Sequence, residues 1–425
     1  MCASTGQHSP VHKTPEHSQK DMSTITSVQT LKNQGYVFSP LETGGEKNRS
    51  FSTLLLGVKD SGKQLVLKVF FKNTPEGERR DNSLRLERTT NKQLLRPLLR
   101  TRTTPNLLRY YGSFSESYDD ARRALDECTD TLDKLRKRVK EKEIRDHGPD
   151  GIRLRDVDTL TIVGLEYVRA RTLRRWLQTE RPYDELKSVL FQIIYTAESL
   201  YRAGIRHNDL HVGNVLIDMN ATCDKLYYQL SDNRKFAAPV RKSLVKLCDF
   251  DSACGIRSQR SRSHRPDQMP RYYNYRLKYY KYWHQYGMTD VDNPRYDTFT
   301  ILSSMAGALR KYHGSSEFAD LITERFIISQ PLLRCPWKFA HRMGKKKDGT
   351  FFHDSQNTDR ADYVPGDDEV RGNTAILNDD IFADWRIAPA QFDARQMERP
   401  SDLYVLPAHP SGPTQPAAAR QGDRA

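Results

Sequence analysis

The order of short and long apolar segments is the feature that most constrains the fold of this chain. Before residue 170 the apolar runs have the length of β-strands, as in Gln64 to Phe71 and Leu160 to Val168. A long segment of helical periodicity follows from Tyr183 to Ala203 and ends at Gly204. Strands that precede helices, rather than alternating with them, predict an α+β fold with a small β-rich part before a larger, mostly helical part.

Composition divides the chain into segments. Residues 1–33 are rich in Ser, Thr, Gln and His, and residues 401–425 in Pro, Ala and Gly, so both ends are predicted to be disordered tails. Between the tails we expect an N-terminal domain at residues 34–168, with a helical insertion at about 115–155, and a C-terminal domain at residues 169–400. A chain of 425 residues has room for both cores.

The predicted insertion contains an apolar stripe of helical spacing. Its members follow one another at alternating steps of three and four residues, and charged residues fill most positions between them. They are Ala121, Leu125, Cys128, Leu132, Leu135 and Val139. The spacing fits an amphipathic helix that folds back on its own domain, and it also fits a coiled-coil seam at residues 118–139 that binds a partner helix.

Charge and cysteine content limit the partners and the compartment. The 68 Lys and Arg residues against 54 Asp and Glu residues give a net charge of +14, which favours anionic partners such as a nucleotide or an acidic protein. The six cysteines show neither a CxxC pair nor metal-ligand spacing, which favours a reducing compartment. The sequence shows no apolar run of about 18 residues and no signal peptide, so we expect a cytoplasmic protein without a membrane partner.

Two polar motifs hold the most informative residues. Residues 207–214 read His-Asn-Asp-Leu-His-x-x-Asn between a long helix and a short apolar run, and residues 249–251 read Asp-Phe-Asp after another short run. These motifs resemble the catalytic loop and the Asp-Phe-Gly motif of the protein kinase superfamily. The resemblance implies that Asp209 receives the proton of the acceptor hydroxyl and that Asn214 and Asp249 hold Mg²⁺.

The strand-rich part carries a third resemblance to the same family. Val66-Leu67-Lys68 is similar to its Ala-x-Lys strand, whose lysine contacts the α- and β-phosphates of ATP. Glu87 follows Lys68 by 19 residues, where the family has the helix carboxylate that holds this lysine. The resemblance therefore implies that Lys68 and Glu87 act in catalysis together with Asp209.

Residues 163–168 resemble the family's fifth strand and hinge. The resemblance makes Leu165 the gatekeeper and lets backbone groups of Glu166 and Val168 bind adenine. The implied nucleotide-binding residues are Val66, Lys68, Glu166, Val168, Asn214 and Asp249. Further along, Asp297 resembles the aspartate of the family's central helix that holds the catalytic loop, although an ordinary helix-capping aspartate is the alternative.

The chain departs from the family pattern at several positions. The glycine positions of the phosphate loop hold Lys47, Arg49 and Ser52, so we expect looser nucleotide binding. His211 replaces the lysine of Ser/Thr kinases and would neutralise the γ-phosphate when protonated. Asp251 replaces the glycine of Asp-Phe-Gly, which reduces the freedom of that segment.

Two basic regions lie outside these motifs. The stretch between the two predicted metal ligands is long and rich in Lys and Arg, and predicts a basic hairpin. Residues 257–286 interleave basic residues with Tyr and Trp. These aromatic faces could stack nucleic-acid bases or hold an acidic substrate, but tyrosines packed on the protein with basic residues outside are the favoured interpretation.

Together the motifs resemble the Ser/Thr protein kinases of large nucleocytoplasmic DNA viruses. The resemblance implies a two-lobed protein-kinase-like fold that uses ATP and Mg²⁺ to phosphorylate Ser or Thr of protein substrates in the host cytoplasm or the virion. Two alternatives remain. One is a small-molecule phosphotransferase of the aminoglycoside or choline kinase type, where His-Gly-Asp-Leu-His-Pro-Gly-Asn is common, and the other is a catalytically weak pseudokinase scaffold.

Overall fold

An antiparallel five-stranded sheet forms the N-terminal part of the molecule. Its strands are β1 Tyr36–Pro40, β2 Ser52–Lys59, β3 Gln64–Phe71, β4 Tyr110–Ser117 and β5 Thr159–Glu166, in the order β1-β2-β3-β5-β4. The computed structural model describes residues 25–41, 52–71, 90–147, 158–207, 209–221, 223–240, 242–250, 253–255, 295–327, 370–388 and 403–406. A tight turn with Gly62 at φ 79° joins β2 to β3.

The two faces of strand β3 have different environments because successive side chains of a strand point to opposite sides. Leu65, Leu67 and Val69 are fully buried in an apolar cluster on the outer face of the sheet. Val66 and Phe70 belong to a separate, smaller cluster on the other face, the face that carries Lys68. The sheet therefore separates a closed core from a second face that carries polar chemistry.

Three helices cover the outer face. They are α1 Val28–Asn33, α3 Tyr118–Ala124 and α4 Thr129–His147, with a short 3₁₀ turn Asp126–Cys128 between the last two. The apolar stripe of the insertion lies against this sheet, with Leu125, Leu132 and Leu135 fully buried. The fold-back interpretation of the stripe is thus the one that the structure shows, although Leu125 leaves the helical conformation and divides the predicted helix in two.

The predicted disordered tail at residues 1–33 is wrong at its C-terminal end, where the structure shows a helix. Residues 28–33 form α1, whose first turn is capped by the Ser27 hydroxyl accepting from the Thr30 N–H. Val28 and Leu31 are fully buried, and Ile25 is nearly so. Three apolar residues at helical spacing are enough to dock this segment, but the polar composition around them hides the signal.

Helices dominate the C-terminal part. After α2 Arg96–Arg100 in the N-terminal part come α5 Leu173–Trp176, α6 Tyr183–Arg202, α7 Tyr296–His313, α8 Glu317–Leu321 and α9 Asn373–Leu377. Helix α6 is buried along most of its length, and Gly204 follows its end with φ 74°. Among the described residues, no helix has both the length and the apolar character that crossing a membrane requires.

Short strands of the C-terminal part frame the polar motifs. β7 Ile205–Arg206 pairs with β12 Cys254–Gly255, and β8 Val215–Asp218 lies between β6 Ala170–Thr172 and β11 Leu244–Leu247. The loop that contains residues 207–214 therefore begins and ends in paired strands. Because β11 pairs with β8, the residues that follow β11 are brought next to that loop.

The predicted basic hairpin is present. Strands β9 Lys225–Gln229 and β10 Lys235–Pro239 pair antiparallel, with β13 Arg386–Ile387 and β14 Leu403–Val405 at the two sides of the hairpin. The predicted disordered tail at residues 401–425 is wrong at its start, because residues 403–405 form strand β14, which pairs with β9. A three-residue strand within a Pro- and Ala-rich end is too short to be recognised from composition.

Candidate active site

Strand β3 holds Lys68 between two hydrogen-bonded neighbours, β2 and β5. The Lys68 Nζ lies 2.7 Å from Oδ1 of Asp249, and it stands 5.2 Å from the centre of the Phe70 ring. The lysine side chain is largely buried, whereas the carboxylate of Asp249 is 40% exposed. Two residues that are 181 positions apart in the sequence thus meet directly.

Asp249 stands two residues after the end of β11 in a left-handed conformation, with φ 65°. Asp is one of the residues that tolerate this conformation, which is concentrated at functional sites. The Cys248 N–H donates to the Asn214 carbonyl at 3.0 Å and fixes the position of the aspartate beside the polar loop. The positive charge of Lys68 is the main influence that holds the pKa of the Asp249 carboxyl below its usual range, although burial acts in the opposite direction.

Asn214 connects the two ends of the polar loop. Its Nδ2 donates to the Asp209 carbonyl at 2.9 Å and to the Asp209 carboxylate at 3.2 Å. Because only the amide nitrogen can donate to two acceptors, the amide oxygen of Asn214 faces away from Asp209. The loop therefore presents one carboxylate and one amide oxygen in adjacent positions.

Helix α7 holds the backbone of the same loop. The Asp297 carboxylate accepts from the His207 N–H at 2.7 Å, and the Ser304 hydroxyl accepts from the Val212 N–H at 3.2 Å. Asp297 is the second residue of α7 and Arg295 is its N-cap, so the helix-capping alternative is wrong. The buried His207 ring also bonds the Cys248 carbonyl at 3.0 Å, which ties the loop to the residue before Asp249.

His211 lies next to Asp209. Its Nε2 is 3.7 Å from Asp209 Oδ1, and its Nδ1 accepts from the Gly213 N–H at 2.9 Å. Since Nδ1 accepts a hydrogen bond, the neutral ring carries its proton on Nε2, the nitrogen that faces the carboxylate. His211 therefore directs an N–H toward Asp209 in its neutral state as well as in its protonated state.

A small apolar cluster adjoins Lys68. The buried residues Val66 and Leu165 belong to the same cluster as Phe70, and the half-buried Leu54 and Tyr167 pack against it. Val66 and Leu165 are expected here from the sequence, but Leu54 is not. The register of the predicted hairpin would identify Leu54, because it lies directly opposite Lys68 and therefore faces the same side of the sheet.

The hinge residues Glu166 and Val168 follow Leu165, a member of this cluster, along the chain. The Glu166 N–H is bonded to the Arg109 carbonyl at 2.8 Å, and the Val168 carbonyl accepts from the Ala170 N–H at 2.8 Å. The Val168 N–H makes no hydrogen bond to any other residue that the structure describes. An unpaired backbone donor beside apolar side chains suits a flat heterocycle with a ring nitrogen acceptor.

The Glu166 side chain has a partner, Lys246, that the sequence does not predict. Its carboxylate lies 3.3 Å from Nζ of the buried Lys246 on β11, and it accepts from the Arg109 N–H at 3.1 Å. Lys246 also donates to the Leu107 carbonyl at 3.3 Å. This pair links the hinge to the strand that positions Asp249. A lysine inside a short strand gives no sequence signal for such a partner.

The oxygen donors fit a magnesium ion better than a transition metal. Asn214 offers an amide oxygen, and Asp249 offers a second carboxylate oxygen beyond the one paired with Lys68. Carboxylate and amide oxygens suit Mg²⁺, which is commonly held by few protein ligands together with phosphate oxygens. Within the described ranges, no cluster of three His, Cys, Asp or Glu residues could hold a metal ion.

Several predicted features lie outside the described residues. They are Glu87, the phosphate-loop residues Lys47 and Arg49, Asp251, and the basic aromatic segment at residues 257–286. The partner that the sequence predicts for Lys68, Glu87, stays a prediction. The four remaining polar residues, Lys68, Asp209, Asn214 and Asp249, form one continuous cluster through the contacts above.

The order of the elements around this cluster decides the type of fold. An antiparallel sheet supplies the lysine, a buried helix leads into the polar loop, and a short strand leads into the second aspartate. The arrangement is an α+β fold in which the sheet precedes most of the helices, as the sequence predicts.

Comparisons with known proteins add little to this geometry. No protein-family model matches the chain, and no curated protein matches it. Among solved structures, the chain is similar to the crystal structure of a Plasmodium kinase domain, with 15% sequence identity and a TM-score of 0.37. The match covers 78% of this chain and 84% of the other.

Proposed function

We propose that this chain is an ATP-dependent protein kinase that transfers the γ-phosphoryl group of ATP to Ser or Thr hydroxyls of proteins. The observation that supports the proposal most is the convergence of Lys68, Asp209, Asn214 and Asp249. Phosphoryl transfer needs little covalent chemistry from the protein, and its catalysis consists of positioning and charge stabilisation. A cation, an acceptor-facing carboxylate and two oxygen ligands in one cluster supply these functions.

Each residue has a distinct role in the proposal. Asp209 receives the proton of the acceptor hydroxyl, and the N–H of His211 orients its carboxylate. Lys68 contacts the phosphates of ATP, and its ion pair with Asp249 keeps it beside the polar loop. We keep Glu87 as the further carboxylate that positions Lys68 when the nucleotide is bound.

In the proposal, the nucleotide lies between the small apolar cluster and the polar cluster. Adenine contacts Val66 and Leu165 and bonds to backbone groups of Glu166 and Val168. Asn214 and Asp249 would hold Mg²⁺, which supplies a positive charge that neutralises the phosphate oxygens when it is bound. The protein supplies the fixed orientation of both ligands through the contacts of Asn214 with Asp209 and Cys248.

The decisive experiment measures phosphoryl transfer with labelled ATP and Mg²⁺. The purified chain is offered a panel of proteins and a panel of aminoglycosides and amino alcohols, and the Asp209→Asn variant is assayed beside it. We expect protein labelling that falls by about 10²-fold or more in the variant. The exposed Asp224 allows a matched control, because Asp224→Asn is the same chemical change outside the site and should retain full activity.

Other outcomes of this assay identify the alternatives. Labelling of small molecules alone would support a small-molecule phosphotransferase. Thermal stabilisation by ATP and Mg²⁺ without any transfer would support a pseudokinase scaffold. Transfer by Asp209→Asn at the rate of the wild type would refute the role of Asp209, provided that both proteins show the same melting temperature.

Two finer assignments belong to the same proposal. The motif resemblance leads us to propose a viral Ser/Thr kinase that acts in the host cytoplasm or the virion. Phosphoamino-acid analysis of the labelled products tests the acceptor residue: phosphoserine and phosphothreonine are expected, and phosphotyrosine alone would contradict the proposal.

A further inference from the structure

Four arginines lie within seven residues directly after the hinge. Arg169, Arg171 and Arg175 are exposed, and Arg174 is half-buried. We call these four residues the arginine strip. The strip begins before strand β6 and ends within helix α5. The arginine strip has no role in the phosphoryl transfer that we propose.

The arginine strip lies along the catalytic loop. Strand β6 pairs with β8, so that Arg171 stands opposite Ile217, three residues after Asn214. The Arg174 N–H donates to the Val212 carbonyl at 2.9 Å. A Cβ placed on Gly213 would be 3.6 Å from the Arg174 guanidinium and 2.7 Å from the His211 ring. Arg174, near one end of the strip, therefore lies beside the loop segment that holds His211, the neighbour of Asp209.

The exposed arginines have no acidic partner in the described part of the chain. No carboxylate there forms an ion pair with Arg169, Arg171 or Arg175. The nearby carboxylates are already engaged: Glu166 contacts Lys246, and Asp218 accepts from the Asn220 N–H. Uncompensated charges of one sign beside a cleft create a local positive potential that attracts anionic groups.

A solvated basic surface is the simpler interpretation of any such cluster. Its position argues for more, because the strip lies between the hinge and the loop that carries Asp209, where an acceptor segment must pass. Arginine also suits this purpose better than lysine, since its planar fork binds a carboxylate through two parallel hydrogen bonds.

We propose that the arginine strip is a subsite for an acidic segment of the protein substrate, adjacent to the residue that is phosphorylated. The inference rests on the proposed function and narrows its substrate class. Acidic side chains near the acceptor hydroxyl contact Arg169, Arg171 and Arg175 and so hold the hydroxyl near Asp209. A nucleic acid could satisfy the same charges, and the test below distinguishes it.

Peptide binding tests the subsite independently of catalysis. Two fluorescent peptides share one Ser acceptor, and four flanking positions are Glu in one and Gln in the other. Anisotropy titrations at low and at 0.5 M salt compare the wild type with Arg169→Ala/Arg171→Ala/Arg175→Ala. We expect the acidic peptide to bind the wild type about tenfold more tightly than the neutral one, and this preference to vanish in the variant and at high salt.

A matched variant controls for net charge. Lys134→Ala/Lys137→Ala/Lys225→Ala removes three exposed positive charges on α4 and β9, away from the cleft, and should keep the tenfold preference. Equal loss of the preference in both variants would mean that only net charge matters, which would overturn the subsite. No preference in the wild type would also overturn it. Binding of a 12-nucleotide RNA that depends on the strip, without binding of the acidic peptide, would replace it by a nucleic-acid site.

Transfer to the same peptides separates the two hypotheses. If the neutral peptide is phosphorylated and the acidic peptide shows no higher kcat/KM, the subsite is wrong and the kinase assignment stands. If the acidic peptide binds through the strip but neither the peptides nor any protein of the panel is phosphorylated, the strip is a site for acidic segments and the assignment as a protein kinase fails. The expected result is about a tenfold higher kcat/KM for the acidic peptide, carried by KM and lost in the arginine variant.

Discussion

Neighbouring residues on strand β3 serve two different regions of the molecule. Leu67 points to the outer face of the sheet and is fully buried under the helices of the insertion and the N-terminal segment. Lys68 points to the other face, which we call the cleft face, where it meets Asp249 and adjoins a small apolar cluster. The same backbone thus carries a closed core on one side and a site for chemistry on the other.

The difference shows how a sheet can support a site without exposing an apolar face. A sheet that keeps one face open for a ligand must bury its other face to be stable. In this chain, the burial comes from the insertion and from α1 rather than from the site itself. Changes on the outer face should therefore affect stability, and changes on the cleft face should affect activity. The predictions below test this separation.

The largest expected effect is on the cleft face. Lys68→Met keeps the length and the apolar stem of the side chain but removes the charge that contacts the phosphates. We expect kcat/KM for phosphoryl transfer to fall by about 10²-fold or more. The free energy of unfolding should change by less than about 1 kcal/mol, because the partner Asp249 is 40% exposed and can be hydrated. Steady-state kinetics and urea unfolding measure the two quantities.

The preceding residue on the strand should behave in the opposite way. Leu67→Ala leaves a cavity among fully buried side chains, and such changes reduce the free energy of unfolding by about 2 to 5 kcal/mol. At a temperature where the variant is folded, its KM for ATP should equal that of the wild type. If Leu67→Ala raised this KM tenfold while Lys68→Met left it unchanged, the two faces would not be independent.

The sequence predicts the cleft face better than the outer face, for a physical reason. Lys68, Asp209, Asn214 and Asp249 stand in motifs of fixed residue types at fixed spacings, and the structure brings these four residues together. Packing on the outer face requires only apolar residues of suitable volume, and many sequences satisfy it. Short docking segments such as α1 and β14 therefore resemble disordered tails in their composition, although the structure shows them packed.

Long-range polar contacts form a second group that the sequence does not reveal. The pair between Glu166 and Lys246 and the bond from His207 to Asp297 join residues that are far apart in the chain. The second can be predicted only because Asp297 lies in a motif that resembles a known family. Without such a motif, periodicity and spacing carry no information about which buried polar groups meet.

A smaller effect tests the docking of the N-terminal segment on the outer face. A Cβ on Gly164 would lie 2.9 Å from Cδ1 of Ile25, so Gly164→Ala must displace this flexible side chain. We expect a loss of about 1 kcal/mol in the free energy of unfolding, at the lower end of the range for overpacked cores. In an Ile25→Ala background the same substitution should be nearly neutral, and the KM for ATP should not change in any of these variants.

One result of this double-mutant cycle would contradict the docking of the N-terminal segment. Equal destabilisation by Gly164→Ala in the presence and absence of the Ile25 side chain would show that the N-terminal segment does not pack on β5. Gly57→Ala is a comparison on the same sheet, because its Cβ would meet the ring of Phe38 at 2.6 Å, which Ile25→Ala should not relieve.

The smallest effect concerns the pH dependence that the Lys68–Asp249 pair adds to stability. The pKa of Asp249 is lowered in the folded protein, chiefly by the charge of Lys68, so near pH 4 the unfolded chain binds this proton more readily than the folded one does. The pair therefore stabilises the fold above about pH 5, and this contribution is lost as the pH falls through the lowered pKa.

In Lys68→Met the pKa of Asp249 should return toward its usual range. The difference in unfolding free energy between the wild type and Lys68→Met should thus be largest near neutral pH, below about 1 kcal/mol, and should shrink between pH 5 and pH 3. Lys225→Met, at an exposed lysine of β9, should show a pH-independent difference. A Lys68→Met difference that stays constant or grows toward acid pH would mean that the pair does not lower the pKa of Asp249.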